Sequence, residues 1–324
     1  MNGTPWWRDR RVLPWLLQAG VGLAVLVVVA WLMTNLVRNL SAAGLLLSWR
    51  WLGQPAGFDL SETLLPFNAS MSYGRALLAG LLNTLRVIVF ALVGSSLLGL
   101  LVGMAAFSRN GLLRGLARVY VELVRNVPLL LQLLFWYFVV FLALPDGAAA
   151  LGWPALVLAK SGLYIAGFAD GRWQLPQLLA SGWQAPVHLS VEFAALLTGL
   201  ITYIGAFIAE VVRGGIASVP AGQWEAASSL GLHGAAILRH IVLPQALRVI
   251  VPGLTNQYIS LAKASSLALA CGFTDLYSVA ETTLNQTGRA VEVVLVLLAA
   301  YLAIDLLISA AMNGLNRLVQ VRER

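Results

Sequence analysis

The sequence predicts an all-α integral membrane protein with about six transmembrane helices, and three observations predict it. Hydrophobic residues make up 59% of the 324 residues and charged residues 11%, with a mean hydropathy of +0.81. A soluble domain carries roughly 25% charged residues, so a large water-soluble enzyme is excluded. Six apolar runs approach or exceed the roughly 20 residues that a helix needs to cross the hydrocarbon core. Basic residues between the runs are dense in alternate loops, as cytoplasmic loops are.

The first run, about Trp15 to Asn35, follows Arg8, Arg10 and Arg11 and lacks a small-residue cleavage site, which makes it a retained anchor. The second, about Ala76 to Phe107, is long enough to tilt or project. The third, about Val127 to Leu144, opens at Pro128, a residue tolerated in a first helical turn. The fourth, fifth and sixth run from about His188 to Ile208, Val249 to Ala270 and Val291 to Met312. With the N-terminus in the cytoplasm, the inside segments hold 13 of the 21 Lys and Arg residues: Arg8, Arg10, Arg11, Arg109, Arg114, Arg118, Arg125, Arg213, Arg239, Arg248, Arg317, Arg322 and Arg324. Both termini are therefore expected in the cytoplasm. The net charge of +7 is an orientation signal, and nucleic acid drops out as a partner.

Residues 1–75 read as an anchor and outer loop, and residues 76–324 as the membrane domain proper. The outer segment from about Pro145 to Val187 is weakly apolar but broken by Pro154, Lys160, Ser161 and Gly162, which favours an interfacial or re-entrant segment. No internal repeat is expected. The single Cys271 closes no internal disulfide. His188, His233 and His240 form no HExxH pair, and no GxxxxGK[ST] loop occurs, so neither a metal site nor a nucleotide site is expected on this chain.

The longest inside loop, Val211 to Arg248, is unlike a bare connection. Gln223 to Leu230 favours a helix, Gly231 stops it where a left-handed residue is wanted, and a second helix from about Gly234 to Val242 is expected to end at Pro244. Glu225, Ala226, Ala227, Gly231, Ile241, Leu243 and Pro244 stand at the spacing of the EAA loop, and the loop resembles that of ATP-binding-cassette (ABC) importer permeases. The stretches GLLNTLRV, YVELVRNVPLLLQLLFWYF, AFIAEVVRGGIASVPAGQWEAA and LPQALRVIVPGLTNQYISLAKASSL are similar to the histidine and glutamine type of amino-acid permease. The extra first span and FDLSETLLPFNASMSYGRALLAG resemble the general L-amino-acid branch, whose members are often longer around the second outer loop. Ala264 departs from the family pattern, where an acidic residue is common.

The resemblance implies a type I importer permease fold in a bacterial inner membrane, with no catalytic residue and no cofactor of its own. Mg-ATP would be held by a partner ATPase subunit, and an amino acid delivered by a periplasmic binding protein. The second permease would be a relative rather than a second copy. Coupling to the ATPase would fall to Trp224, Glu225, Ala226, Ala227, Leu230, Gly231, Ile241, Leu243 and Pro244. Trp224 is equally suited to anchor a partner or to seal the loop against its own helices.

Polar residues inside spans are costly and so mark a path for substrate: Asn83, Thr84, Arg86, Glu210, Asn256, Gln257, Ser260 and Lys263. Lys263 or Arg86 suits a carboxylate, and Glu210 an ammonium group, although Glu210 is also placed to pair with Arg213 or Arg239. Glu122, four residues after Arg118 and three before Arg125, reads as part of an ion network on a helix surface. A permease for another small polar solute fits the same residues, whereas an ion-coupled secondary transporter would show inverted repeats.

Overall fold

The structure, a computed structural model, describes residues 13–42, 44, 47–108 and 110–320. Arg8, Arg10, Arg11, Arg109, Arg322 and Arg324 of the basic count lie outside them. The chain divides into two compact units, one ending at Trp51 and the other beginning at Leu52. The first contains α1 (Leu13–Ala42), whose side chains from Pro14 onward are almost all exposed, as a lipid-facing span requires.

The second unit is built on α2 (Tyr73–Ala105) and α5 (Val191–Ala217), which pack along most of their length. Glycines let the two backbones approach closely. A Cβ on Gly99 would lie 2.4 Å from Ile208 Cγ2, and one on Gly103 2.7 Å from Val212 Cβ. At 33 residues α2 is about 50 Å long, well beyond the hydrocarbon core. Its outer end is tied down by the 52–72 loop: Ser72 caps it, and Arg75 donates to the Pro66 carbonyl at 3.0 Å.

The third predicted span, about Val127 to Leu144, is the second arm of a bent pair. α3 (Gly111–Asn126) and the run formed by α4 (Leu129–Leu134) with a π-helical stretch, Phe135–Phe141, meet at 106°. Asn110 caps α3, and Pro128 forces the turn. The Gln132 side-chain amide donates to the carbonyls of Val124 and Val127 and holds the bend. Five helices among the described residues are long and apolar enough to cross a membrane, or six if this pair counts as one span.

The segment 145–187, expected to be interfacial or re-entrant, is a set of β-hairpins. Strands β1 (Leu151–Trp153), β2 (Leu156–Ala159), β3 (Gly162–Ile165) and β8 (Val187–Leu189) form one antiparallel sheet in that order. Between β3 and β8 hang two further hairpins, β4 (Gly167–Ala169) with β5 (Arg172–Gln174) and β6 (Gln177–Leu179) with β7 (Gly182–Gln184). Two-residue turns fall at 160–161, 170–171 and 180–181, a ten-residue period that corrects the expectation of no repeat. Asp170 and Gly171 both have positive φ, the type I′ geometry that matches strand twist.

After α5, the short α6 (Ala221–Ser229) and α7 (Gly234–Ile237) precede α8 (Leu243–Ala264). Pro244 does not end the second helix, contrary to the sequence expectation. A π turn at Leu238–Val242 joins α7 to α8, with the Leu243 amide donating to the Leu238 carbonyl five residues back. The widened turn relieves the clash a proline ring makes with the carbonyl four residues earlier. Helical backbone therefore continues from Gly234 to Cys271, with Pro252 inside α8 and a 3-10 stretch over Ser265–Cys271. α9 (Leu276–Thr287) packs on α2 at the end of the bundle opposite the α5–α8 connection, and α10 (Ala290–Val319) returns against α8 and α9.

Candidate functional site

The loop between α5 and α8 folds as a knob. Gly231 has φ +79°, and the α6 terminus closes in the paired pattern of a Schellman turn. The Gly231 amide donates to Ser228 O at 3.0 Å, and the Leu232 amide to Ala227 O at 3.2 Å. A Cβ on Gly231 would meet no atom within 4 Å, so its backbone conformation, not crowding, calls for glycine.

Burial sorts the knob into a foot and a crown. Ala227 and Val242 are buried in the main core, and Trp224 and Ile241 pack half-buried against it. Trp224 thus seals the knob against its own helices. Glu225, Ala226, Gly231 and Pro244 are exposed, Leu243 is half-buried, and Leu230 is 82% exposed. A leucine so presented buries little of its side chain within this chain.

The polar residues predicted within spans fall into three places. Asn83, Thr84 and Arg86 come together at the outer part of α2, where each has a partner within the chain. Asn83, fully buried, donates to the carbonyls of Glu62 and Thr274, both at 2.7 Å. Thr84 Oγ1 accepts from the Leu276 amide at 3.0 Å. Arg86 pairs with Glu62 and lies 4.2 Å over the Phe193 ring. These side chains staple α2 to the outer loops.

Glu210 lies apart from them. It is held by Arg213 through two hydrogen bonds and faces a cleft between α2, α3 and α5. Asn256, Ser260 and Lys263 form the third place, an exposed polar stripe on α8 at spacings of four and three residues, with Gln257 half-buried beside it. Lys263, 65% exposed, lies 3.6 Å from Asp305 on α10. Asp305 was missed in the sequence, although an acid in the middle of an apolar span is itself a signal. Glu62, the partner of Arg86, sits in an outer loop where no periodicity announces it.

Asp275 caps α9, accepting from the Ser278 amide at 2.9 Å. Burial pushes its carboxyl up to about 6, against the lowering effect of the cap hydrogen bonds. No group of three or more His, Cys, Asp or Glu among the described residues is placed to hold a metal ion.

The family model described as "Binding-protein-dependent transport system inner membrane component" matches residues 95–321. The general L-amino acid transport system permease protein AapQ of Rhizobium johnstonii is 36% identical, the match covering 91% of this chain and 89% of that protein. The glutamate/glutamine/aspartate/asparagine transport system permease protein BztB of Rhodobacter capsulatus is 32% identical over 98% of this chain and 96% of its own length. Among solved structures, an amino acid ABC transporter crystallised with histidines shares 28% identity and a TM-score of 0.55, covering 76% of this chain and 94% of its own.

Proposed function

Because the chain belongs to the family of inner membrane components of binding-protein-dependent transport systems, we propose that it imports L-amino acids with three kinds of partner. It is a multi-pass ABC permease subunit. Its partners in this reading are an ATPase subunit that holds Mg-ATP, a second and related permease, and a periplasmic binding protein. Both termini and the knob face the cytoplasm, in keeping with the basic residues on that side.

The observation that carries the reading is the knob between α5 and α8. Its foot is fixed in the core, its crown presents Leu230 and Glu225 to solvent, and helical backbone leads from it into the membrane. At 38 residues, Gly234 to Cys271 spans about 57 Å. A displacement imposed on the knob by closure of an ATPase dimer is passed along this helical segment toward the membrane, with the π stretch at Leu238–Val242 and Pro252 inside α8 as the places where it can bend. The same helix carries Asn256, Ser260 and Lys263. A polar stripe turned to lipid is costly, so this face belongs against the second permease, lining the path between them. Lys263 and Asp305 offer a cation and an anion to a zwitterionic solute there, and Glu210, saturated by Arg213, acts at the inner end only.

The test is reconstitution with the candidate ATPase, permease partner and binding protein in proteoliposomes. ATP-dependent uptake of amino acids, lost in Leu230→Asp while the complex still inserts, supports the reading. An ATPase subunit that never associates with the chain overturns it.

A further inference from the structure

We propose that the cleft between α2, α3 and α5, at the end of the bundle that bears the knob, holds a phospholipid headgroup carrying both a phosphate and a primary ammonium. The cleft has a volume of about 490 Å³, within the range of small-ligand sites. Its charged lining comes from Arg118, Glu122 and Arg125 on α3 and from the Glu210–Arg213 pair on α5. That last pair is joined by two hydrogen bonds.

The three charges on α3 are not joined in this way. The spacing allows Glu122 to pair with Arg118 or Arg125, yet none of the ion pairs among the described residues joins them. Arg125 is instead stacked over the Phe207 ring at 5.0 Å. Three guanidinium groups and two carboxylates line the cleft, Arg125 also acts electrostatically on Glu210, and no ion pair among the described residues engages Arg118 or Glu122. Guanidinium suits a phosphate, and a carboxylate suits an ammonium group.

The amphipathic pattern of α3 selects a lipid over a solute. Leu112, Leu116, Val119 and Leu123 make an exposed apolar stripe along α3, while Ala117 and Val124 face the protein. A helix with that pattern lies in the membrane interface, its apolar stripe at the acyl boundary and its charged flank at headgroup level. Val102 of α2 and Phe107 just beyond its end add an apolar wall. The cleft is built rather than incidental: the Tyr120 hydroxyl donates to Thr202 O at 2.6 Å and pins α3 to α5.

The assembled transporter, purified in detergent with equal amounts of phosphatidylethanolamine and phosphatidylglycerol, is examined by native mass spectrometry for retained lipid. Phosphatidylethanolamine is expected in excess. Glu122→Gln removes the partner of the ammonium and shifts the ratio toward phosphatidylglycerol by about tenfold, the effect of one charge-assisted hydrogen bond. Arg118→Gln with Arg125→Gln loses both lipids, and Arg118→Lys with Arg125→Lys retains them, which separates charge from folding. Equal retention of the two lipids by the wild type, or an unchanged ratio in Glu122→Gln, overturns the proposal. So does displacement of the lipid by soluble phosphoethanolamine at equal concentration, which assigns the cleft to a free solute. The assay uses neither ATP nor amino acid, so its failure is distinct from a failure of the transport reading.

Discussion

Replacing Gly231 separates backbone strain from every other role the turn could have. Gly231 sits at φ +79° with open space where a Cβ would stand, so alanine meets no clash. Its cost is that of an L-residue in the left-handed region, about 1–2 kcal/mol. An asparagine tolerates that region and costs less, and a β-branched valine costs more. At 1.4 kcal/mol per decade, alanine shifts the equilibrium between formed and opened turn by about 5- to 30-fold. Affinity of the reconstituted permease for its ATPase subunit, with ATP-driven uptake beside it, should fall in the order Gly, Asn, Ala, Val. All four proteins should insert and fractionate alike, since the turn is exposed. If the valine protein binds the ATPase as well as the asparagine protein does, the backbone is not the reason for glycine here.

Four further outcomes follow from the geometry. Leu230→Ala should weaken ATPase association by about 2 kcal/mol, as loss of an interface anchor does, whereas Trp224→Ala should lower the melting temperature of the permease itself; titration and thermal scans distinguish them. Glu62→Gln breaks a pair with side-chain exposures of 21% and 13% and leaves Arg86 uncompensated, costing about 3 kcal/mol of stability with the KM for amino acid unchanged in the surviving protein. The Asp275 carboxyl is raised from 3.8 to about 6, so its contribution is fully present below pH 3.8 and lost as pH climbs through 6. Asp275→Asn, which keeps the cap acceptor, should therefore gain about 3 kcal/mol relative to wild type between pH 3.8 and pH 7.5, and a pH-independent difference in denaturation refutes this. Gly99→Val should abolish assembly, because even a Cβ there stands 2.9 Å from the Gly205 carbonyl, and recovery of a stable complex contradicts the packing.

Much of the fold is legible in the sequence because lipid imposes a simple rule on composition. The second, fourth and sixth spans lie where uninterrupted apolar runs place them, within about ten residues at each end, and the αL turn is announced by Gly231 itself. The errors arise where a local signal has two outcomes. Pro244 is an ordinary helix stop, but the π turn before it removes the clash that makes proline a stop. The outer segment is broken by Pro154 and Gly162, which reads as irregular only if the ten-residue recurrence of turns at Ser161, Gly171 and Ser181 goes unnoticed. At the site, Trp224 has the composition of an anchor and the burial of a seal, a distinction that depends on core residues far away in sequence. Asn83 and Arg86 look like a substrate path because an apolar span makes any polar group conspicuous, yet their partners are Glu62 and Thr274, distant in the chain.

The hairpin insertion has a consequence for how such chains change length. Strand β8 pairs with β3 and closes the sheet, so the chain leaves and re-enters at adjacent positions however much lies between. The β4–β5 and β6–β7 hairpins are side excursions whose removal or duplication leaves α5 entering the membrane at the same point. Tight two-residue turns keep each excursion self-contained. Growth and loss of whole hairpins at this position are therefore nearly neutral for the helical bundle, and this surface is free to diversify while the helices keep their packing.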